Sequence, residues 1–546
     1  MKKMLALLLA FVLCLSLFAA CGSETKDTTQ SDDKTSSAET EKKDEQSKET
    51  DEVSEEEAPT AVTIATCENL VTLDPYTVSN SSGYTCAYMM YDTLVQTGPD
   101  GDYLPGLATE WECSEDGLAW TFKLREGVKF QNGEDFTSAD VVTSFQRLID
   151  DPTLNLAASY WPCLESVEAN GDYEVIIHTS EPFGFALNSF CWTYILPGDT
   201  YEEYGEKIWI DQMQCGSGPW ILDEWIDGQQ IVFNKNPDFW GGDISSYDTV
   251  TFKFLLEPSA AIAAHLAGDV DGVSDIPGDM MALYDGAEGI TTLDVPGPGT
   301  SYYYIGFQCS EESVFHDINV RKAFEYAIDR QLLVDAIFNG AGSVVDGIAI
   351  EGAFGYNADG AKVPYDPDLA KQLLEESDYN GEPIVISTHN GNVNGEAVGL
   401  AISEMVNAVG FNTTIEVLEP ATLSDMRATG EYDVFFVSNA HSCSDPYAHL
   451  NMRVMQDAHH SFYVNDELNA LIKASNEAVD PVERARLIAE ADELIKEEAA
   501  PHFVLFQYQK HISYDVGIYG VEYWCKDYSK FRNITYVPGY ILGSEA

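Results

Sequence analysis

The chain has 546 residues, with 29 Lys and Arg against 91 Asp and Glu, a formal charge of −62 and a pI near 4.1. That balance excludes nucleic acid as a partner, because a polyphosphate surface has to be met by clustered cations. Hydrophobic residues at 45% and aromatics at 12% are a globular composition, and the length predicts two or three domains.

Lys2 and Lys3 precede an apolar run from Leu5 to Phe18, too short to span a bilayer and placed as a secretion leader. Phe18-Ala19-Ala20-Cys21-Gly22 puts small residues directly before a cysteine and resembles the bacterial lipobox, so Cys21 is the expected lipid attachment site. Residues 22–58 hold fourteen acids, five lysines and almost no large apolar side chain. Such a segment buries too little surface to offset its ordering entropy and is expected to be a tether. Nine cysteines follow Cys21, with no CxxC spacing, and are expected to be mostly small buried hydrophobes.

The folded part is expected to begin near Thr60. Val62 and Ile64 alternate with small residues as a strand, Leu73-Asp74-Pro75 follows, and Tyr84 to Val95 is a predicted helix. Leu104-Pro105-Gly106-Leu107-Ala108-Thr109-Glu110-Trp111 leads into a long stretch from Trp120 to Leu148. There Trp120, Phe122 and Leu124 alternate with polar residues, as do Val128 and Phe130, which predicts two short strands. Asn132-Gly133 predicts a turn, and Thr137 with Asp140 predicts a capped helix whose apolar face is Val141, Val142, Phe145 and Leu148.

Farther on, Gly216-Ser217-Gly218-Pro219-Trp220 reads as a turn, and Asn234 to Trp240 as the end of a strand. Asp317 is a predicted cap for a helix lined by Val320, Phe324, Ile328 and Leu332, with Arg321 and Asp329 as structural ion partners. Asp366-Pro367 and Asp480-Pro481 predict two more helix starts. GxSxG, HExxH, phosphate-loop and dinucleotide motifs are absent, so no catalytic residue is assigned.

In their order, these segments resemble the family 5 extracellular solute-binding proteins of ABC importers, which include oligopeptide-, dipeptide- and nickel-binding receptors. The resemblance runs from Thr60 almost to the C-terminus. It implies an α/β, two-lobed periplasmic-binding-protein-like fold (class C, type II) with an extra subdomain in one lobe. The implied division is a leader at 1–20, a tether at 21–59, first-lobe segments at 60–95, 214–310 and 508–546, the extra subdomain at 96–213, and the second lobe at 311–507. Hinge crossings are expected near Ile305–Ser310 and Phe506–Ser513.

The implied function is a lipid-anchored, monomeric receptor on the outer face of the membrane. It would capture peptides between its lobes and hand them to a permease and its ATPase, with no cofactor and no catalysis. Two stretches carry the implied ligand site. Ser79, Asn80 and Ser81 would meet the ligand main chain like an added strand. On the other side stand Arg427, Ser438, Asn439, His441 and Ser442. Peptide-binding relatives place an aspartate where this chain has Ser442, four residues before Pro446, and a hydroxyl cannot supply the charge-assisted bond that a buried ammonium needs. Asp445 or Glu419 could compensate. Ser442, with His441, His449, His459 and His460 beside Cys443, keeps a nickel chelate, haem or oligosaccharide as alternative ligands, and a secreted hydrolase is a remote third reading.

Overall fold

The computed structural model describes residues 58–541, apart from 99–101, 214, 295–300, 352, 441–444, 456–460, 509 and 525–527. The leader, Cys21 and the tether therefore lie outside the described residues. Among those described, no helix is long and apolar enough to cross a membrane.

Two β-sheets organise the chain. The first has seven strands, in the order Ile290–Asp294, Lys510–Asp515, Gly272–Pro277, Ala61–Thr66, Thr249–Phe254, Gln230–Lys235 and Trp220–Ile226. Its central strand, Ala61–Thr66, runs parallel to both neighbours. Val62 and Ile64 are buried as their alternation predicts. The second sheet has six strands, in the order Gly342–Val344, His502–Tyr508, Ser301–Phe307, Val434–Ala440, Pro383–His389 and Asn412–Leu418. Pro383–His389 is parallel to both Asn412–Leu418 and Val434–Ala440. Each sheet has its own large apolar core.

A four-stranded antiparallel sheet, in the order Ala108–Cys113, Ala119–Leu124, Glu174–Thr179 and Leu164–Ala169, forms the extra subdomain. Its core is continuous with that of the first sheet. Helix Ser138–Asp150 packs on it through Val141, Phe145 and Leu148, and carries the predicted Thr137–Asp140 capping box. Arg147 on this helix makes a two-pronged, buried ion pair with Asp74 of the first lobe, at 2.8 and 2.5 Å. The subdomain is thus fixed to the first lobe.

Several expectations are corrected. Val128–Phe130 forms no strand, only an isolated bridge between Lys129 and Asp135, because the chain has to turn at once into the Thr137 cap. The helix expected from Tyr84 spans Ser81–Met90, started by the Asn80 cap. Among the described residues Arg321 makes no ion pair: it donates to the carbonyls of Phe315, His316, Glu498 and Ala499, while Asp329 caps the next helix. A new helix beginning at Arg330 leaves Leu332 exposed.

The chain leaves the first sheet after Asp294, and the strand Ser301–Phe307 already pairs in the second, so that crossing precedes the expected 305–310. It returns between Tyr508 and Lys510. The Tyr302–Phe307 run is buried on both faces, which suits the middle of a sheet and not a hinge.

Candidate functional site

In open α/β sheets, ligands meet the carboxyl ends of parallel strands. In the first lobe these are the ends of Ala61–Thr66, Thr249–Phe254 and Gly272–Pro277, and in the second those of Pro383–His389 and Val434–Ala440.

On the first-lobe side the polar stretch is mostly a helix start. Asn80 Oδ1 accepts from the Gly83 amide at 3.1 Å, and its Nδ2 donates to the Asn69 carbonyl at 2.8 Å. The Ser82 amide is taken by Glu68 Oε2 at 2.9 Å. Helix formation therefore uses the Ser82 and Gly83 donors, and of the stretch expected to meet the ligand only Ser79 and Asn80 precede the helix. Ser81 lines a hollow of about 330 Å³, counted with its open mouth, together with Thr66, Thr85, Cys86 and Ser274.

On the second-lobe side Arg427 sits half-buried on helix Pro420–Thr429. Its guanidinium lies over the Phe435 ring at 5.3 Å and reaches the Tyr304 hydroxyl at 3.5 Å. Its buried Nε has no hydrogen-bond partner, and among the described residues it makes no ion pair. Burial, and then the Arg427 charge, pull the His389 imidazole below its ordinary range. Ser438 is bound through both its amide and its hydroxyl to Asn392 Oδ1, each at 3.0 Å. Asn392 in turn donates to Thr388 Oγ1 at 2.8 Å. Sequence reasoning missed Asn392, although an Asn- and Gly-rich loop between a strand and a helix is a signal for such a position. The Asn439 backbone pairs with Tyr302. His441 and Ser442 lie outside the described residues.

Neither candidate for a compensating carboxylate is free of partners. Asp445 is buried and held by Arg484 at 2.6 and 3.0 Å, so its charge is already neutralised. Glu419 is exposed and accepts from Asn390 at 2.9 Å.

Of the histidine-rich stretch, only His449 is described. It is buried, with Nδ1 at 2.5 Å from the Tyr302 hydroxyl and Nε2 at 3.3 Å from His502 Nδ1. Among the described residues no three His, Cys, Asp or Glu are placed to hold a metal ion. Of the seven described cysteines five are buried.

One constellation looks catalytic. Ser513 Oγ is 3.3 Å from His265 Nδ1, and His265 Nε2 is 3.2 Å from Asp515 Oδ1. Ser513 is wholly buried, however, and His265 also bonds Tyr284, so no substrate carbonyl can approach. Ser217 of the Gly216–Gly218 turn is likewise buried and bonds Asp92 at 2.9 Å. Both flanking glycines lie where a Cβ would overlap the backbone at Met89 and Met90.

Residues 102–458 match the model of the bacterial extracellular solute-binding proteins, family 5, middle region. The chain is 26% identical over 454 residues to the probable D,D-dipeptide-binding periplasmic protein DdpA of Escherichia coli K12, covering 80% of this chain and 86% of that one. It is 26% identical over 461 residues to the oligopeptide-binding protein AppA of Bacillus subtilis, covering 80% and 84%. The fold is shared with the Helicobacter pylori periplasmic binding protein DppA in complex with the peptide STSA (TM-score 0.74, 22% identity, 88% of this chain and 98% of that one). It is shared also with Campylobacter jejuni NikZ in complex with Ni(L-His) (TM-score 0.71, 18% identity, 85% and 95%).

Proposed function

The chain belongs to the family 5 bacterial extracellular solute-binding proteins, and on that premise we propose that it captures peptides between its two lobes for an ABC importer. Cys21 carries the lipid that holds it at the outer face of the membrane, and the acidic tether lets the lobes reach both solute and permease. The permease and its ATPase do the transport work, and this chain contributes binding and closure.

The observation that carries the peptide reading is Arg427. A half-buried guanidinium with an unmet Nε and no carboxylate partner among the described residues suits a carboxylate brought by the ligand. Its place beside His389, at the carboxyl end of a parallel strand, supports the same reading. Ser79 and Asn80 offer main-chain groups to the ligand, and Ser438, Asn439, His441 and Ser442 are the proposed second wall. With Asp445 committed to Arg484, a ligand ammonium has no buried carboxylate from that residue. The ligand is therefore expected to be held chiefly through its carboxylate and main chain.

The test is a thermal-shift panel on the soluble part from Thr60, since a ligand bound only by the native state raises the melting temperature. Peptides with a free C-terminus should raise it, amidated ones should do so far less, and N-acetylation should matter little. A response confined to nickel–histidine, haem or oligosaccharides would overturn the peptide reading.

A further inference from the structure

Solute capture by closure needs a lobe equilibrium, and one contact in the molecule is built to bias it. The loop Pro182–Ala186 of the extra subdomain crosses to the second lobe. The Phe185 ring stacks on Tyr447 with centroids 4.4 Å apart and planes 9° from parallel, and Phe183 meets the same tyrosine edge-on at 5.6 Å. All three rings are buried. Between the two phenylalanines the Gly184 amide donates to the Asn476 carbonyl at 2.5 Å.

Each side of this contact is rigid within its own lobe. The phenylalanines belong to the core that the subdomain shares with the first sheet, and the Tyr447 ring is buried in that same core although its backbone belongs to the second lobe. Tyr447 follows Asp445, whose bidentate pair with Arg484 fixes it to helix Pro481–Glu498 of the second lobe. The Tyr447 carbonyl accepts from Asn451, which also bonds Asn476. Among the described strands the chain passes between the sheets at 294–301 and 508–510.

We propose that Phe183-Gly184-Phe185 and Tyr447 form an interlobe clasp that holds the empty receptor toward its closed state and so sets the affinity for any ligand. The proposal rests on the reading of a receptor that closes on its solute, but not on which solute. Opening uncovers the faces that Phe183 and Phe185 turn to Tyr447, while Phe183 stays against Trp161 and Phe185 against Tyr160. Tyr447 lies seven residues beyond Ala440, where the strand bearing Ser438 ends. Gly184 is the point of nearest approach: a Cβ there would overlap the Ala478 carbonyl oxygen and lie 2.9 Å from Arg484 Cδ. A larger residue at 184 is therefore a wedge between the lobes, while neither core loses a side chain.

The test needs no ligand. Fluorescence energy transfer is measured in the full chain in detergent, between dyes carried by unnatural side chains at exposed Ile210 and Leu400. Phe185→Ala and Gly184→Val are each expected to lower the transfer efficiency, with the closed-to-open ratio falling about tenfold. Tyr447→Phe, which keeps the stacking ring, should behave as the native chain. If Phe185→Ala fails to fold, Gly184→Val decides. Unchanged efficiency in folded Gly184→Val, or a native empty chain already as open as the variants, would overturn the clasp. Because no solute is present, the clasp can fail while the peptide reading stands, and the reverse.

Discussion

The buried pair Asp445–Arg484 offers a sharp test of how the segment after Val434–Ala440 is held. Its side chains are only 7% and 5% exposed, and both guanidinium nitrogens that face the carboxylate are within hydrogen-bond distance, at 2.6 and 3.0 Å. Asp445→Ala removes the carboxylate and leaves a buried cation unpaired, which costs about 3–5 kcal/mol. Arg484→Met leaves the carboxylate, among the described residues, with only the Tyr447 amide at 2.9 Å, and should cost a similar amount. The double variant Asp445→Leu with Arg484→Met leaves no charge to desolvate, and packs apolar groups beside Phe185 and Phe354, rings that the guanidinium now faces at 5.7 and 5.0 Å. It should recover most of the loss, giving a coupling energy of several kcal/mol between neighbours in direct contact. Urea unfolding followed by circular dichroism reads all four proteins, with the midpoint reporting stability at constant slope. If the two single losses simply add in the double variant, the pair is not the unit described here. A single loss below about 1 kcal/mol would show that water reaches the site.

Glu325 is wholly buried, and burial pushes its carboxyl up to about 8, opposed by Arg321, Arg330 and Lys322. The folded chain therefore keeps a proton that the unfolded chain has lost. Its contribution to stability is greatest below about pH 4.5 and falls by up to about 1.4 kcal/mol per pH unit as the pH rises to about 8. Glu325→Gln should flatten that slope, and an unaltered pH profile of the urea midpoint would refute the assignment. Asn80→Ala should lower stability by about 1 kcal/mol through loss of the helix cap, as read by thermal unfolding. Phe145→Ala, which empties the site between Trp161 and Phe190, should cost about 3–5 kcal/mol and show as a lowered urea midpoint. Arg427→Met should abolish the thermal shift caused by free-carboxylate peptides while sparing whatever response amidated ones give, and equal loss of both would place Arg427 outside ligand contact.

Much of the fold was legible because its signals act within a turn or a strand. The Thr137–Asp140 capping box, the Asp317, Asp366 and Asp480 caps and the Val62–Ile64 strand all stand where their spacing puts them. The errors arose where a local pattern met a stronger neighbour. Val128 and Phe130 alternate like a strand but are buried as a turn, packed against the subdomain with no partner strand beside them. Arg321 resembles half of an ion pair, yet its five-donor head is filled by four carbonyls, two of them from residues 498 and 499. That the helix starts at Ser81, within the stretch expected to meet the ligand, depends on Glu68 and Asn69 lying beneath it.

By itself the sequence determined the family, through short ordered motifs that resemble it, several strands and helix starts, through periodicity and caps, and the lack of a catalytic motif. Only the tertiary structure decided how the charges are spent. Asp445 is engaged by an arginine 39 residues away, Asp92 by Arg532 at a separation of 440, and Arg427 is left facing a ring and a hydroxyl. Likewise, nothing in the local pattern around Phe185 names Tyr447 as its partner. Such pairings are set by which surfaces the two cores bring within a few ångströms, and the strength of a charge or a ring depends on that burial more than on its neighbours in the chain.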